Sequence, residues 1–257
     1  IYAAPVQKVS LTSPLIRVRH MTNKGEKPHS VNLEMGNIPP MEKSTMKAVV
    51  LDTPAMESVI EPFTRPSCAV SAGRDRYGLF CGCKVKGVRF RLRWINPGEF
   101  MMGSPDNEPE RGDDEILHKV ILTKGYWMAE TACTQELWEA VMGNNPSKFK
   151  GKKLPVETIS WEECREFMRK LNILIPGFDV RLPAEAEWEY ACRAGTTTPF
   201  YFGENITTDQ VNYDGDNPYN NGKKGEYREK TVEVDALPCN SWGLFQMHGN
   251  VCEWCED

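Results

Sequence analysis

Alternating apolar and charged residues predict the first regular element of the chain. Val88, Phe90, Leu92 and Trp94 alternate with three arginines, and a period of two is typical of a half-buried β-strand. Short strands are predicted on similar grounds over residues 99–103, 116–122 and 126–130, each preceded by turn or loop residues. The pattern therefore predicts a β-rich beginning to the regular part of the chain.

Helical spacing of apolar residues follows in two segments. Thr134 is predicted to cap the N-terminus of a helix that Gly143 ends. Ser160 and Glu163 have the spacing of a capping box, in which both side chains accept hydrogen bonds from backbone N–H groups at the helix start. The apolar residues of both segments fall on one face, so we expect them to pack in the core and assign them no chemistry.

A third helix is predicted to begin after Pro183. Ala184 stands at its cap and carries no hydroxyl group, and the loss of a capping side chain costs about 1 kcal/mol at a typical helix N-terminus. Glu185, Glu187 and Glu189 cluster in the first turns, where the helix dipole favours carboxylates. We interpret these three glutamates as structural support rather than as catalytic groups.

The beginning of the chain shows little periodicity. Residues 1–86 are interpreted as an extension or linker of unclear structure, because eight prolines fall in this part and no pattern recurs. Cys81 and Cys83 lack a second cysteine pair at zinc-ligand spacing, which argues against a zinc ribbon. The interpretable domain is therefore predicted over residues 87–257.

Composition and charge restrict the class of protein. The 257 residues are 40% hydrophobic and 26% charged, as in globular proteins, and no apolar run approaches the roughly 18 residues of a membrane span. Residues 1–98 hold 15 Lys and Arg against 7 Asp and Glu, but these basic residues are scattered, so no nucleic-acid partner is predicted. The chain begins with Ile1 and gives no indication of its compartment.

Turn residues and carboxylates in the last third indicate hard oxygen ligands. Gly249 and Asn250 form a turn dipeptide close to Glu253, so main-chain carbonyls and one carboxylate come together as calcium requires. An acidic pair beginning at Asp214 is similar to the start of an EF-hand loop. That match fails, because Gly225 stands where the twelfth-position acid is needed.

Nine cysteines, an odd number, do not settle the redox compartment. Cys252 and Cys255 form a CxxC motif, which is redox-active when it opens a helix in a thioredoxin-like setting. No βαβ pattern surrounds them here. We therefore interpret this pair as packing residues.

Three stretches carry a resemblance to a known family. They read Pro-Gly-Glu-Phe-Met-Met-Gly-Ser over 97–104, Arg-Leu-Pro-Ala-Glu-Ala-Glu-Trp-Glu over 181–189, and Gly-Leu-Phe-Gln-Met-His-Gly-Asn-Val-Cys-Glu-Trp over 243–254. Together they resemble the formylglycine-generating enzyme family, also called the sulfatase-modifying factor family, across roughly residues 88–257. Cys252 stands where most members have Trp, and Gln246 where they have Asp or Asn. The resemblance implies an irregular α+β fold of the C-type-lectin-like class, with few regular elements and long loops.

The resemblance also implies two structural calcium ions. The first would be bound by the side chain of Asn212, the carbonyl of Tyr213, the side chain of Glu226 and the carbonyl of Arg228. The second would be bound by the side chain of Gln246, the carbonyls of Gly249 and Val251, and the carboxylate of Glu253. Because Gln246 replaces an acid and removes one negative charge, we expect the second site to be the weaker.

Catalytic members of the family oxidise a cysteine in a Cys-x-Pro-x-Arg segment of a sulfatase to formylglycine, using oxygen and a copper ion held by two cysteines. That cysteine pair follows an Arg-Gly-Gly-Ser-Tyr or Arg-Gly-Gly-Ser-Trp stretch, which this sequence lacks. No residue is therefore carried over as catalytic, and the chain is expected to be a fragment whose complete form acts on a sulfatase-like protein or peptide. The alternatives are a non-catalytic C-type-lectin-fold binding or display module, and a regulatory or scaffold protein.

Overall fold

Residues 65–257 are the part of the chain that the computed structural model describes. A four-stranded antiparallel sheet has the order β1-β2-β3-β6, and a two-stranded ribbon pairs β4 with β5. The strands are β1 (Ala69–Asp75), β2 (Gly78–Val85), β3 (Val88–Ile95), β4 (Gly98–Met102), β5 (His118–Leu122) and β6 (Tyr126–Ala129). The predicted strands therefore form, with bounds that differ by one or two residues.

Three helices follow the strands in sequence. They are α1 (Gln135–Met142), α2 (Trp161–Leu174) and α3 (Glu185–Arg193), and one short 3-10 turn spans Tyr219–Asn221. Beyond α3 the chain runs mostly in turns and loops. This mixture of sheet and helix with few regular elements is the α+β architecture that the sequence predicts. None of the helices within residues 65–257 has the length and apolar character needed to cross a membrane.

The capping residues of the first two helices act as their sequence predicts. The Thr134 hydroxyl accepts a hydrogen bond from the N–H of Leu137, and Gly143 ends α1 in the left-handed conformation at φ 83°. Ser160 and Glu163 form both hydrogen bonds of the capping box at the start of α2. Local sequence signals therefore determine where these helices begin.

The third helix keeps half of a capping box and gains a distant partner. The N–H of Ala184 donates to Oε2 of Glu187 at 2.9 Å, and Arg181 pairs with the same carboxylate at 2.6 Å. The N–H of Glu185 donates to Oδ1 of Asp257 at 2.7 Å. Carboxylates thus accept hydrogen bonds from the start of α3, although Ala184 has no side-chain acceptor.

The first two strands lie in a part of the chain whose sequence is interpreted above as an extension or linker of unclear structure. Of the extension predicted over residues 1–86, residues 1–64 lie outside the described part. Residues 69–85 differ from the prediction, because β1 and β2 pair in the same sheet as β3. Cys81, Cys83 and Val85 are buried at alternate positions of β2. That period of two was available in the sequence, but Gly82 and the presence of only one charged residue, Lys84, obscured it.

Arg93 breaks the predicted alternation of β3. The pattern placed its arginines towards solvent, yet Arg93 is 2% exposed. Its Nη1 lies 2.7 Å from Asp75 and its Nη2 lies 2.7 Å from Glu130. Two carboxylates therefore compensate the buried guanidinium, and this is the condition under which a charge is tolerated inside a protein.

Three hydrophobic clusters fill the described part of the chain. The first joins the four-stranded sheet to α1 and α2, where Trp138 stacks on Phe167 with ring centres 5.1 Å apart. The second packs α3 against Leu244 and Met247, and the third surrounds Phe200 in the loops after α3. The loops that hold the candidate calcium ligands are therefore anchored by buried side chains.

Candidate functional site

Two loops, residues 203–230 and 243–256, carry all eight predicted calcium ligands. They meet at Asn212 and Asn250. The N–H of Asn250 donates to the carbonyl oxygen of Asn212 at 2.8 Å, and Nδ2 of Asn212 donates to Oδ1 of Asn250 at 3.0 Å. Asn250 also exchanges two hydrogen bonds with the backbone of Val232, at 2.9 and 3.1 Å. The side chain of Asn250 therefore fastens the two loops together.

Gly249 allows this close approach. A Cβ atom at this position would lie 2.5 Å from Cγ1 of Val211 and 2.6 Å from the carbonyl oxygen of Asn212. Both distances are shorter than the nonbonded contacts that Cβ atoms make in proteins, so a side chain here would push the loops apart. The next residue, Asn250, has φ 71°, a left-handed conformation that asparagine tolerates better than most residues.

The first predicted ligand set lies where two segments of the 203–230 loop run side by side. An isolated antiparallel bridge joins Asp214 to Tyr227, so the neighbouring ligands Tyr213 and Arg228 belong to adjacent segments. The carboxylate of Glu226 is 66% exposed and lies 3.3 Å from Nη2 of Arg228. The carboxylate of Glu226 is thus already paired with the guanidinium of Arg228, and a calcium ion would have to displace that guanidinium.

Asp214 organises its own loop instead of serving an EF-hand. Its Oδ1 accepts a hydrogen bond from the N–H of Asp216 at 3.1 Å, and its Oδ2 accepts one from Nδ2 of Asn217 at 2.9 Å. The residue is 3% exposed. These contacts are those of an Asx turn, in which the side chain replaces a backbone acceptor.

The second predicted ligand set lies within the 243–256 loop. Gln246 has a left-handed φ of 53°, and its Nε2 donates to the carbonyl oxygen of Glu233 at 2.7 Å. Its Oε1 is buried and has no hydrogen-bond partner. The carbonyl of Gly249 accepts a hydrogen bond from the N–H of Val251 at 2.9 Å. A buried amide oxygen without a partner costs free energy, and a cation would offset that cost.

Glu253 supplies the carboxylate of this set. Its Oε2 accepts a hydrogen bond from the indole Nε1 of Trp188 at 2.7 Å. Burial raises the pKa of Glu253 above its usual value, and the hydrogen bond from Trp188 only partly offsets this. A bound cation would stabilise the ionised carboxylate and lower that pKa.

The donor atoms of both sets favour a hard cation. Each set combines one carboxylate with amide and main-chain oxygens, which are the ligands of calcium. Throughout residues 65–257, no group of three or more His, Cys, Asp and Glu side chains is placed to hold a metal ion. The second set fits calcium well, because Oε1 of Gln246 is buried and has no hydrogen-bond partner. The first set fits less well, because Arg228 occupies its carboxylate.

The thiols near these loops are not activated. Burial raises the pKa of Cys252, and it raises the pKa of Cys255 to about 12. Cys192 is fully buried beside His248, with its Sγ 3.8 Å from the ring nitrogens, and burial raises its pKa as well. A thiol must ionise to act as a nucleophile or a copper ligand, so these environments favour the packing interpretation of the CxxC motif.

Two residues of this region were not singled out by the sequence. Asn250 was interpreted only as a turn residue, and Trp188 only as part of a helix. The signal for Asn250 was its position in a glycine-asparagine turn, where a polar side chain is free to bind backbone groups. No signal in the sequence connects Trp188 to Glu253, because the two are 65 residues apart.

Comparison with known proteins agrees with this architecture. The model of the family described as the sulfatase-modifying factor enzyme 1-like domain matches residues 91–257. This range begins in β3 and includes both candidate loops. The match therefore covers most of the part of the chain that the structure describes.

Two curated relatives illustrate the range of proteins that this chain resembles. The chaperone protein LppX of Paenibacillus barcinonensis is 27% identical over 178 residues, covering 53% of this chain and 64% of the relative. The formylglycine-generating enzyme of Mus musculus is 27% identical over 146 residues, covering 55% of this chain and 36% of the relative. The chain thus spans less than two thirds of the length of either relative.

A solved structure supports the fold. Treponema denticola variable protein 1 superposes with a TM-score of 0.55 at 28% sequence identity, covering 68% of this chain and 76% of that chain. Its likeness confirms the irregular C-type-lectin-like fold, with few regular elements, that the sequence resemblance implied. Proteins with different names therefore share this architecture, and the fold alone does not specify an activity.

Proposed function

Since this chain belongs to the sulfatase-modifying factor enzyme 1-like family, we propose that its complete protein oxidises a cysteine of a sulfatase-type substrate protein to formylglycine. The family match over residues 91–257, together with formylglycine-generating enzymes among the relatives, is the observation that carries this proposal. Within that protein, the described residues form a scaffold whose two polar loops are held in place by calcium.

The second ligand set gives the calcium proposal its main support. Gln246 Oε1 is buried and unpartnered, and the Glu253 carboxylate has one oxygen fixed by Trp188. A calcium ion bound to both side chains and to the carbonyls of Gly249 and Val251 would satisfy the orphan amide and neutralise the buried carboxylate. It would fix the same turn in which Gly249 meets Asn212.

The first ligand set would bind calcium less readily. Nδ2 of Asn212 donates hydrogen bonds to the carbonyl oxygen of Lys230 and to Oδ1 of Asn250. These two bonds fix the orientation of the side chain. Glu226 would have to exchange its contact with Arg228 for the ion. Gln246 in place of an acid led us to expect the second site to be the weaker, but the contacts favour it, so we propose calcium first at Gln246 and Glu253.

The redox chemistry of the proposed reaction belongs to copper. A copper ion held by two thiolates supplies the oxygen activation, and soft sulfur ligands suit Cu(I). No cysteine of residues 65–257 is assigned to that pair. The described residues would instead position the loops and stabilise the fold around the reaction centre.

A peptide assay on the complete gene product tests the proposal. A peptide containing Cys-x-Pro-x-Arg is incubated with the protein, Cu(I) and oxygen, and the aldehyde is trapped with a hydrazide and identified by mass spectrometry. A matched peptide with serine in place of cysteine is the control. Aldehyde on the cysteine peptide alone supports the oxidase. Its absence, with a folded and copper-loaded protein, would overturn the proposal.

A double substitution in the CxxC motif tests whether its two thiols take part in the proposed oxidation. Because burial raises the pKa of Cys252 and Cys255, we expect the double variant Cys252→Ala and Cys255→Ala to retain the peptide activity. Loss of activity in a folded double variant would instead place these thiols in the reaction.

A non-catalytic binding or display module is the second candidate function. The names of two similar proteins favour it, since one is a chaperone protein and another a variable protein. A protein of this kind would bind a partner polypeptide and leave its cysteine unchanged. The same peptide assay distinguishes the two functions, because binding without aldehyde is the result expected of such a module.

A further inference from the structure

Three cysteine thiols meet in the first hydrophobic cluster, apart from the polar loops. Cys81 and Cys83 occupy alternate positions on the buried face of β2, and Cys68 precedes β1. All three are free thiols, with exposures of 8% for Cys68 and 0% for the other two. Neither the proposed oxidase reaction nor the calcium loops use them.

The sulfurs of Cys68 and Cys83 are in direct contact. They lie 2.7 Å apart, whereas the thiols of Cys133 and Cys192 approach their nearest polar atoms only to between 3.6 and 3.8 Å. Sulfur atoms in a disulfide bond lie about 2.05 Å apart. Bond formation between Cys68 and Cys83 therefore needs a displacement of less than one ångström, shared between two side chains.

The backbone favours this pairing over a bond between Cys81 and Cys83. Ala69 pairs directly with Cys83 across the antiparallel strands, so Cys68 and Cys83 approach from two neighbouring segments. Cys81 and Cys83 belong to the same extended strand, where a bond between alternate residues would distort the ladder to β3. Cys81 is thus placed to remain a thiol when the other two are joined.

We propose that Cys68 and Cys83 form a disulfide bond that fastens β1 to β2. The Cys68 thiolate attacks a low-molecular-weight disulfide, forming a mixed disulfide and releasing one small thiolate. The Cys83 thiol then loses its proton and attacks the Cys68 sulfur, which forms the protein disulfide and releases the second small thiolate. Two protein thiols are oxidised while one small disulfide is reduced to two thiols.

The environment of Cys68 suits it to the first step. When Cys68 ionises, the Cys83 thiol can donate a hydrogen bond to the thiolate, and this lowers the pKa of Cys68. Cys68 is also the only one of the three with measurable exposure. The product would hold the edge strand β1, which within residues 65–257 has a neighbouring strand on one side only.

Mass spectrometry of the full chain tests the bond directly. The folded, reduced protein is incubated with oxidised glutathione, remaining thiols are blocked with iodoacetamide, and tryptic peptides are compared before and after reduction. We expect the peptide with Cys68 to be linked to the peptide that holds Cys81 and Cys83. Fragmentation of the peptide backbone between Cys81 and Cys83 should place the link on Cys83. A link to Cys81, or no link in folded protein, would overturn the proposal.

Two serine variants give a matched comparison. Cys83→Ser should abolish the link, and Cys81→Ser, equally buried two residues away on the same strand, should keep it. The oxidised wild type should melt about 5–10 °C above the Cys83→Ser variant treated in the same way. Should Cys83→Ser fail to fold, the fragmentation result decides. Thiols that become reactive only after a metal chelator is added would assign a metal site and overturn the disulfide.

Discussion

The side chain of Asn212 donates a hydrogen bond to the side chain of Asn250 at 3.0 Å, across 38 residues of sequence. The backbone N–H of Asn250 returns a hydrogen bond to the carbonyl oxygen of Asn212 at 2.8 Å. This pair joins the two loops that carry both candidate calcium sites. The stability of the loops and any calcium affinity should therefore depend on Asn250, although it is not among the proposed ligands.

Replacing Asn250 with glycine tests this relationship. Glycine tolerates the left-handed φ of 71°, so the variant removes the side-chain hydrogen bonds to Asn212 and Val232 without straining the backbone. We expect the free energy of unfolding to fall by about 2–3 kcal/mol in urea denaturation. A change within about 0.5 kcal/mol, the range of ordinary surface substitutions, would show that these hydrogen bonds do not fasten the loops.

Calcium affinity at the second site should increase with the number of carboxylates that bind the ion. Glu253→Gln keeps an acceptor for Trp188 and removes the negative charge, so we expect calcium affinity to fall about tenfold or more in isothermal titration calorimetry. Gln246→Glu adds a charge beside the same ion and should raise the affinity by about the same factor. Glu226→Gln serves as the control, since it alters only the first set. Equal affinities in all four proteins would exclude the second site.

The pH dependence of that affinity provides a second measurement. Burial raises the pKa of Glu253 in the calcium-free protein, so protons compete with calcium as the pH falls towards that pKa. We expect affinity to weaken with falling pH in the wild type, and to change less in Glu253→Gln. Identical pH profiles would mean that Glu253 is not the titrating ligand.

Asp75 should make stability depend on pH in acid. The hydrogen bond from Arg93 is the largest cause that lowers the pKa of Asp75, from 3.8 to about 2. Since the folded pKa is depressed, this contribution is fully present above pH 3.8 and is lost as the pH falls towards 2. The carboxylate is 32% exposed, so solvent screening reduces the contribution to about 1–2 kcal/mol.

The comparison of wild type with Asp75→Asn isolates this effect. Their difference in unfolding free energy should be constant above about pH 4 and shrink between pH 4 and 2. A difference that stays constant across this range would show that Asp75 does not titrate with the lowered pKa.

The missing cap of α3 can be restored. Ala184 already has the extended conformation of a capping residue, with φ −65° and ψ 153°. Ala184→Ser should therefore stabilise the protein by about 1 kcal/mol, measured as a rise in the unfolding midpoint. Ser160→Ala, which removes the cap of α2, is the matched reverse and should destabilise it by a similar amount. No gain from Ala184→Ser would indicate that Glu187 and Asp257 already satisfy this helix end.

Local signals in the sequence were sufficient for much of the fold. The alternation of Val88 to Trp94 identified β3, and the capping residues Thr134 and Ser160 placed two helix starts. Such signals succeed because a hydrogen bond between near neighbours depends on few residues. The three family-like stretches added the irregular C-type-lectin-like fold, which periodicity alone did not indicate.

The first two strands show where those signals fail. β2 contains two glycines and two cysteines, and its buried positions Cys81, Cys83 and Val85 alternate with few charged residues. Strand formation there depends on pairing with β3, whose register places Cys83 opposite Phe90. A strand that is stabilised mainly by its neighbours gives a weak pattern of its own.

The sequence by itself determined the strands and helices from β3 to α3, and which residue types gather in the last loops. Only the tertiary structure decided that Arg93 is buried between Asp75 and Glu130, that Trp188 holds Glu253, and that the thiols of Cys68 and Cys83 meet. These contacts join residues between 15 and 65 positions apart. The periodicity of a segment indicates which face is buried, but the partner of that face is set by how the whole chain packs.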